Sequence, residues 1–341
     1  MDRPDTDPWT VSEEAYPREG ALTEQLRFLV GYAILAPSSH NTQPWLFKIK
    51  DDAIALYSDR LRSLPIADPE DRELIMSCGA ALANLQVAMR FFGREPEVSI
   101  LPGTDGPDLL AVTRLGPAIE PTERDRAMFE AIVNRRTNRE PFVFRPVPDT
   151  LLEEMQDAAY EEGAWLRTIS DSGTMNRLAD LIGEADRLQA DDKEFRKELA
   201  SWVHPNHAKT RDGLPGFALG IQDVASYGGP FVIRTFDWGD GKAAKDRQLV
   251  SGSPALAVLG TEEDTAADWL AAGQALERVQ LVGRAKGLYF SYLNQPLEIP
   301  AMRDRVRDLL EITSFPQLIL RIGFGSPVKP TPRRPVEDVL L

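Results

Sequence analysis

Ala36-Pro37-Ser38-Ser39-His40-Asn41-Thr42-Gln43-Pro44-Trp45 concentrates two prolines, a run of hydroxyl and amide side chains, a histidine and a tryptophan in ten residues. Small donors and acceptors on a chain stiffened by proline suit a loop that touches a polar ligand. Upstream, Leu26, Leu29, Val30, Ala33 and Ile34 recur at helical spacing behind an N-cap at Thr23, and Pro37 ends that helix. Downstream, Leu46 to Ile49 and Ala53 to Tyr57 read as two strands of a hairpin about Lys50-Asp51-Asp52. Residues 1–20, with Pro4, Pro8, Pro17 and many charges, read as an extended arm lying on the surface or on a partner.

Further along, Leu74, Ile75, Cys78, Leu82, Leu85, Met89 and Phe92 step by helical intervals, which predicts a long helix from Glu73 to Phe92 with Gly93 at its end. Cys78 lies on that apolar stripe without a neighbouring base and reads as a buried, inert thiol. Glu97 to Leu101 and Leu109 to Leu115 read as strands. Gly116-Pro117 through Pro121 marks a boundary, and Thr122 with Asp125 forms a capping box for a helix predicted to end in Asn134-Arg135-Arg136-Thr137-Asn138-Arg139.

The second half echoes the first. Cys78-Gly79-Ala80-Ala81-Leu82 through Gln86 to Gly93 lines up with Ala272-Gly273-Gln274-Ala275-Leu276 through Gln280 to Gly287 at a constant offset of 194. Arg114-Leu115-Gly116 matches Arg321-Ile322-Gly323 at an offset of 207, and Trp165-Leu166 echoes Trp45-Leu46 at 120. No serine, asparagine or glutamine precedes Trp165 over Ala159 to Ala164, so the second copy of the loop is erased. Duplication of this kind predicts a pseudo-dimer folded from one chain, with halves at residues 1–117 and 118–341. Between 191 and 253 a stretch rich in Gly and Pro, with Trp202 and Trp238, reads as an insertion and a possible lid in the second half.

Composition narrows the class. With 43% hydrophobic and 27% charged residues over 341 positions the chain is an ordinary globular protein. A net charge of -14 argues against general nucleic-acid or anionic-membrane binding, so any phosphate site must be local. One cysteine excludes an internal disulfide, and without a leader-like or membrane-length apolar run a cytoplasmic location is expected. His204-Pro-Asn-His207 has an i, i+3 spacing but reads as a solvated loop rather than a metal site.

Against that acidic background, Arg135, Arg136 and Arg139 surround Thr137. Guanidinium forks beside a hydroxyl grip phosphate well, although arginines also favour helix C-termini for their dipole. A second basic segment, Lys329-Pro-Thr-Pro-Arg333-Arg334, shifts the balance toward two segments closing on one phosphate.

Together Pro37-Ser38-Ser39-x-Asn41-x-Gln43-Pro44-Trp45, Arg135-Arg136-Thr137-x-Arg139, the helix ending at Gly287, and Gly323-Phe324-Gly325 with Arg333-Arg334-Pro335 resemble the FMN-dependent nitroreductase family. In ordinary members the arginine motif precedes the Pro-Ser-Ser motif and two chains pair to build the FMN sites. The order here is reversed, which is similar to the tandem-repeat, Acg-like branch, where one composite site lies between halves. The resemblance implies an α+β nitroreductase-like fold, mixed sheets flanked by helices, in an intramolecular pseudo-dimer that needs no second chain.

Carried over by residue, it implies that Arg135, Arg136, Thr137 and Arg139 hold the FMN phosphate, ribityl chain and pyrimidine edge. Arg333 would complete the phosphate grip, and Pro37, Ser38, Ser39 and Asn41 would contact the cofactor from the other half. A backbone amide in Phe290-Ser291-Tyr292-Leu293-Asn294, assigned to Leu293, would lie near the flavin ring. Gln43 is expected to brace the loop, Trp45 to pack in the core, and His40 to be structural or solvent-facing rather than an acid. The implied activity is reduction of nitroaromatics, quinones or related small acceptors by NAD(P)H. The rival is an FMN-binding protein with an occluded site, for flavin storage, sequestration or redox sensing.

Overall fold

The computed structural model describes residues 7–103 and 106–341, so Pro4 of the expected arm lies outside the described residues. The first half contains α1 (Leu22–Ala33), β1 (Trp45–Lys50), β2 (Ala53–Ser58), α2 (Arg72–Phe91), β3 (Arg94–Ile100) and β4 (Leu109–Ala118). The chain continues with α3 (Glu123–Ile132), α4 (Asp149–Tyr160), β5 (Trp165–Ile169), α5 (Ser172–Asp191), α6 (Lys193–Ser201), β6 (Val203–His204) and β7 (Leu214–Pro215). Then follow α7 (Asp223–Ser226), α8 (Gly229–Thr235), α9 (Gly239–Ser251), β8 (Ala255–Thr261), α10 (Ala266–Ala285), β9 (Leu288–Tyr292), α11 (Gln295–Glu298), α12 (Pro300–Leu310) and β10 (Phe315–Phe324).

Two four-stranded sheets share one plan. The first runs β1-β2-β4-β3 and the second β5-β8-β10-β9, so each strand of one has a counterpart in the other. Trp45 and Trp165 open the matching strands β1 and β5, and α2 matches α10. Strand pairs inside the sheets are antiparallel. Parallel bridges occur where other segments join an edge: Leu340 beside Phe47 of β1, and Thr137 beside Phe290 of β9. The chain's last residues thus return to the first sheet, with Phe47 N–H donating to the Val339 carbonyl at 2.7 Å.

The halves share one apolar core built from α1, α2, α3, α4, α10 and the facing sides of both sheets, which makes them a pseudo-dimer rather than two beads. A second cluster, between β8, β10 and the helices α5 and α12, covers the other face of the second sheet, which is why β8 is buried at every position.

Local expectations hold with specific exceptions. Thr23 is not the N-cap: α1 begins one residue earlier, and Glu24 reaches back so that the Ala21 N–H donates to its carboxylate at 3.0 Å. The Thr122–Asp125 capping box is present, with reciprocal bonds of 3.1 and 2.9 Å. The stretch 191–253 is largely helical, in α6 to α9, because its glycines fall at helix ends and turns; Gly213 and Gly220 take positive φ between elements.

Candidate functional site between the halves

The loop joining α1 to β1 adopts a backbone that ordinary residues take reluctantly. His40, Asn41 and Gln43 have φ of 49°, 56° and 53°. Left-handed φ at a non-glycine residue persists only where surrounding contacts impose it. Here Gln43 is the brace: Nε2 donates to the Arg211 carbonyl at 2.8 Å, Oε1 accepts from the Arg334 N–H at 2.7 Å, and its N–H donates to Ser38 Oγ at 2.9 Å. Asn41 is held as tightly. Its Nδ2 donates to the carbonyls of Gly213 (2.9 Å) and Pro332 (3.1 Å), while Oδ1 accepts from Arg333 Nη1 (2.8 Å). Ser39 donates to the carboxylate of Glu73 on α2. Trp45 and Cys78 are fully buried, and burial pushes the Cys78 thiol up, out of the nucleophilic range.

The arginine segment approaches from the second half. It is not the end of a helix, as its sequence suggested: α3 stops at Ile132 and residues 137–138 lie along β9, where Asn138 N–H donates to the Phe290 carbonyl at 2.9 Å. Arg135 and Arg136 precede the bridge at Thr137, before the chain joins the edge of the sheet, and the four predicted residues separate. Thr137 and Arg139 face a cavity of about 250 Å³ that Pro37, Ser38, Ser39, His40 and Asn41 line from the other side. Arg333 joins them, so one cavity gathers residues from positions 37, 139 and 333.

Arg135 and Arg136 do not line it. Arg135, 2% exposed, donates Nη2 to the Leu35 carbonyl at 3.0 Å and places Nε 3.2 Å from the fully buried Glu277 carboxylate. Arg136 stacks on Trp9, with its guanidinium carbon 3.8 Å from the ring centre. Leu293 also misses the cavity, because its N–H is committed to the Ile319 carbonyl at 2.8 Å and its side chain joins the second core cluster. Its neighbours Tyr292 and Asn294 line the cavity instead.

The insertion forms the opposing wall. Phe195, Leu199, Leu214, Leu219, Trp238 and Lys242 all face the cavity, an apolar and aromatic surface with one ammonium. Lys242 is paired with Asp186 and Asp246, so its charge is largely answered. His204 and His207 take no part: they approach Asp212 and Asp223 respectively, at 3.6 and 3.7 Å.

Burial decides the protonation of the site. It lowers His40 to about 4, helped by the Arg139 cation, so the imidazole is neutral at physiological pH. Burial also lowers Arg139 and Arg333, the latter further by the nearby cations of Arg135 and Arg136. It raises Tyr292 to about 12 and Glu277 to about 7, the latter despite the pull of Arg135 and Arg333. Around Arg333 the cations of Arg135 and Arg136 outnumber the one weakly ionised carboxylate, Glu277, while Glu73, Asp186 and Glu298 line the remainder of the cavity.

Several of these groups escaped the motif reading. Glu277 left a signal: at the offset of 194 it stands where the first copy has Ala83, an acid introduced on a buried face. Trp9 and Glu298 left none, because neither belongs to a motif.

Comparison with known proteins gives a family match, two relatives and a solved structure. The sequence pattern of the nitroreductase family matches residues 132–326, more than half of the chain. A Mycobacterium tuberculosis protein named "Putative NAD(P)H nitroreductase Rv3131" is 31% identical over 326 residues, 93% of this chain and 91% of the relative. Another from that organism, named "Putative NAD(P)H nitroreductase acg", is 30% identical over 326 residues, covering 93% and 95%. Among solved structures, the FMN and NADPH-dependent nitroreductase NfnB of Sphigopyxis sp. strain HMH covers 62% of this chain and 96% of its own, with 18% identity and a TM-score of 0.43.

Proposed function

This chain belongs to the nitroreductase family of oxidoreductases, and we propose that it is an FMN-dependent enzyme using NAD(P)H to reduce nitroaromatics, quinones or related small acceptors. The observation that carries this reading is the single cavity where Ser38, Ser39 and Asn41 of the first half face Thr137, Arg139 and Arg333 of the second. The donor set fits FMN. Arg333 Nε is buried without an acceptor among the described residues, and around it the cations of Arg135 and Arg136 face only the carboxylate of Glu277, in a protein of net charge -14. A dianionic phosphate answers both features.

FMN, when bound, would supply the hydride chemistry. Arg333 and, behind it, Arg135 would hold the phosphate. Thr137 and the two serines offer hydroxyls that donate or accept along the polyol, and Arg139 offers a fixed cation where negative charge develops on reduction. The apolar wall of the insertion would exclude water and offer a surface for a flat aromatic ring to lie against. Both sides of the site lie in one chain with halves meeting near residue 117, so we take the active form to be a monomer, acting in the cytoplasm; light scattering on the purified protein tests the first point.

The absorption spectrum of the purified protein, followed by stopped-flow mixing with NADPH or NADH, tests the reading. Yellow protein bleached rapidly by either nucleotide agrees with it, and protein that binds no FMN overturns it. Yellow protein that neither nucleotide bleaches points to the second reading, a flavin store or sensor. The helices of the insertion packed over the cavity favour that alternative.

A further inference from the structure

The N-terminal arm does not lie loosely on the surface. Asp7 caps a short turn over Pro8–Thr10, accepting from the Trp9 N–H at 3.1 Å, and this turn delivers the Trp9 indole onto the second half. Trp9 Nε1 donates to the Thr331 carbonyl at 2.8 Å. The ring then meets two arginines from distant segments, with the guanidinium carbon of Arg136 3.8 Å and that of Arg333 4.8 Å from its centre.

These are neighbouring cations that repel. Arg333 is depressed by burial and then by Arg135 and Arg136; Arg136 is lowered to about 10 by burial, Arg135 and Arg284. An aromatic ring relieves such repulsion without consuming hydrogen-bonding capacity. Stacking occupies the face of a guanidinium, while its N–H groups point outward in the plane. The Nε of Arg333 is one such donor, buried and without an acceptor among the described residues.

Resting on the flavin reading above, we propose that Trp9 is a phosphate-positioning residue: its indole holds Arg136 and Arg333 together so that their N–H edges receive the terminal phosphate monoester of FMN. The arm thereby belongs to the composite site, a third segment added to the loop and the arginine motif. Arg136, which misses the cavity itself, gains a role at its phosphate end.

The test compares FMN with riboflavin, which lacks only the phosphate, on full-length protein stripped of flavin and titrated by flavin fluorescence. Trp9→Leu keeps apolar bulk without a π face, and Trp9→Phe keeps the face. Trp9→Leu is expected to weaken FMN binding about tenfold, with riboflavin changed less than about twofold, and Trp9→Phe to recover most of the loss. Equal loss of both ligands would show that the indole only supports the fold, and unchanged FMN binding would show that it has no role; either result overturns the proposal. Wild-type protein that binds riboflavin and FMN equally overturns it too, while leaving a flavin site. Wild-type protein that binds neither removes the flavin reading and this proposal together.

Discussion

Gly79 and Gly273, equivalent positions of the sequence repeat, press against each other's helix. A Cβ on Gly79 would stand 2.2 Å from the Leu270 carbonyl oxygen and 3.0 Å from the Gly273 Cα; one on Gly273 would stand 2.0 Å from the Met76 carbonyl oxygen. Leu270 and Met76 are themselves 194 residues apart, so the contact obeys the same pseudo-twofold relation as the sequence. Backbone meets backbone at the centre of the shared core, and a flexible side chain cannot yield there.

Gly79→Ala or Gly273→Ala should therefore force α2 and α10 apart and cost about 1–3 kcal/mol, as overpacking does. Urea unfolding measures it. Both substitutions disturb one contact, so the double variant should lose less than the sum of the two. Full additivity would mean that the helices relax independently.

Arg135 and Glu277 form a buried pair with side chains 3% and 0% exposed. Arg135→Ala should destabilise the protein by roughly 1–3 kcal/mol, because the buried Glu277 loses its partner and must hold a proton, and should also lose FMN. Adding Glu277→Gln should restore much of the stability but not the cofactor. Thermal melts and the flavin absorbance of the same samples separate the two effects, and a double variant that binds FMN as wild type removes Arg135 from the phosphate site.

Stability should fall as pH rises through neutrality. Burial raises Glu298 to about 8, with Glu73 and Asp68 adding to it, and raises Asp68 to about 7, with Glu73 again contributing. Burial raises Glu277 to about 7 as well. Each value lies above that of the unfolded chain, so the native state prefers the protonated acid. The stabilisation is complete below the unfolded values and is lost as pH climbs through the folded ones. Asp264 works in reverse: burial raises it, but hydrogen bonds from Arg303, Gln317 and Trp269 prevail and hold it low, so its contribution disappears only in acid. Melting temperature should decline from about pH 4.5 to about pH 8, between the unfolded and the folded values, and Glu298→Gln should flatten part of that slope. A variant with the wild-type slope would clear Glu298 of the effect.

His40 should stay neutral across the working range. Its imidazole, lowered to about 4 by burial and Arg139, should show constant NMR shifts from pH 5.5 upward. Asparagine tolerates the φ of 49° at this position. His40→Asn should accordingly fold and turn over within a few-fold of wild type, whereas loss of the roughly hundredfold or more supplied by a general acid would identify His40 as the proton donor.

How the residues of the composite site divide their labour depended on context. Asn41 and Ser39 carry the chemistry expected of cofactor contacts, yet Asn41 uses all its hydrogen-bonding groups on Gly213, Pro332 and Arg333, and Ser39 donates to Glu73. Arg135 and Arg139 sit four residues apart in one motif, but Arg135 is engaged by Leu35 and Glu277 before the chain reaches the sheet edge, and only Arg139 lines the cavity.

By itself the sequence determined the duplicated plan, the two matching helices and sheets, and the pairing of a loop near residue 40 with arginines near residue 137. Periodicity, capping and repetition are local or arithmetic properties, and they survive in a string of letters. The tertiary structure alone decided that Trp9 crosses to Arg136 and Arg333, that the helices of 191–253 wall the cavity, and that Glu277 answers Arg135. Those contacts join segments a hundred or more residues apart. A buried charge acquires its protonation and its partner only when the chain has closed around it.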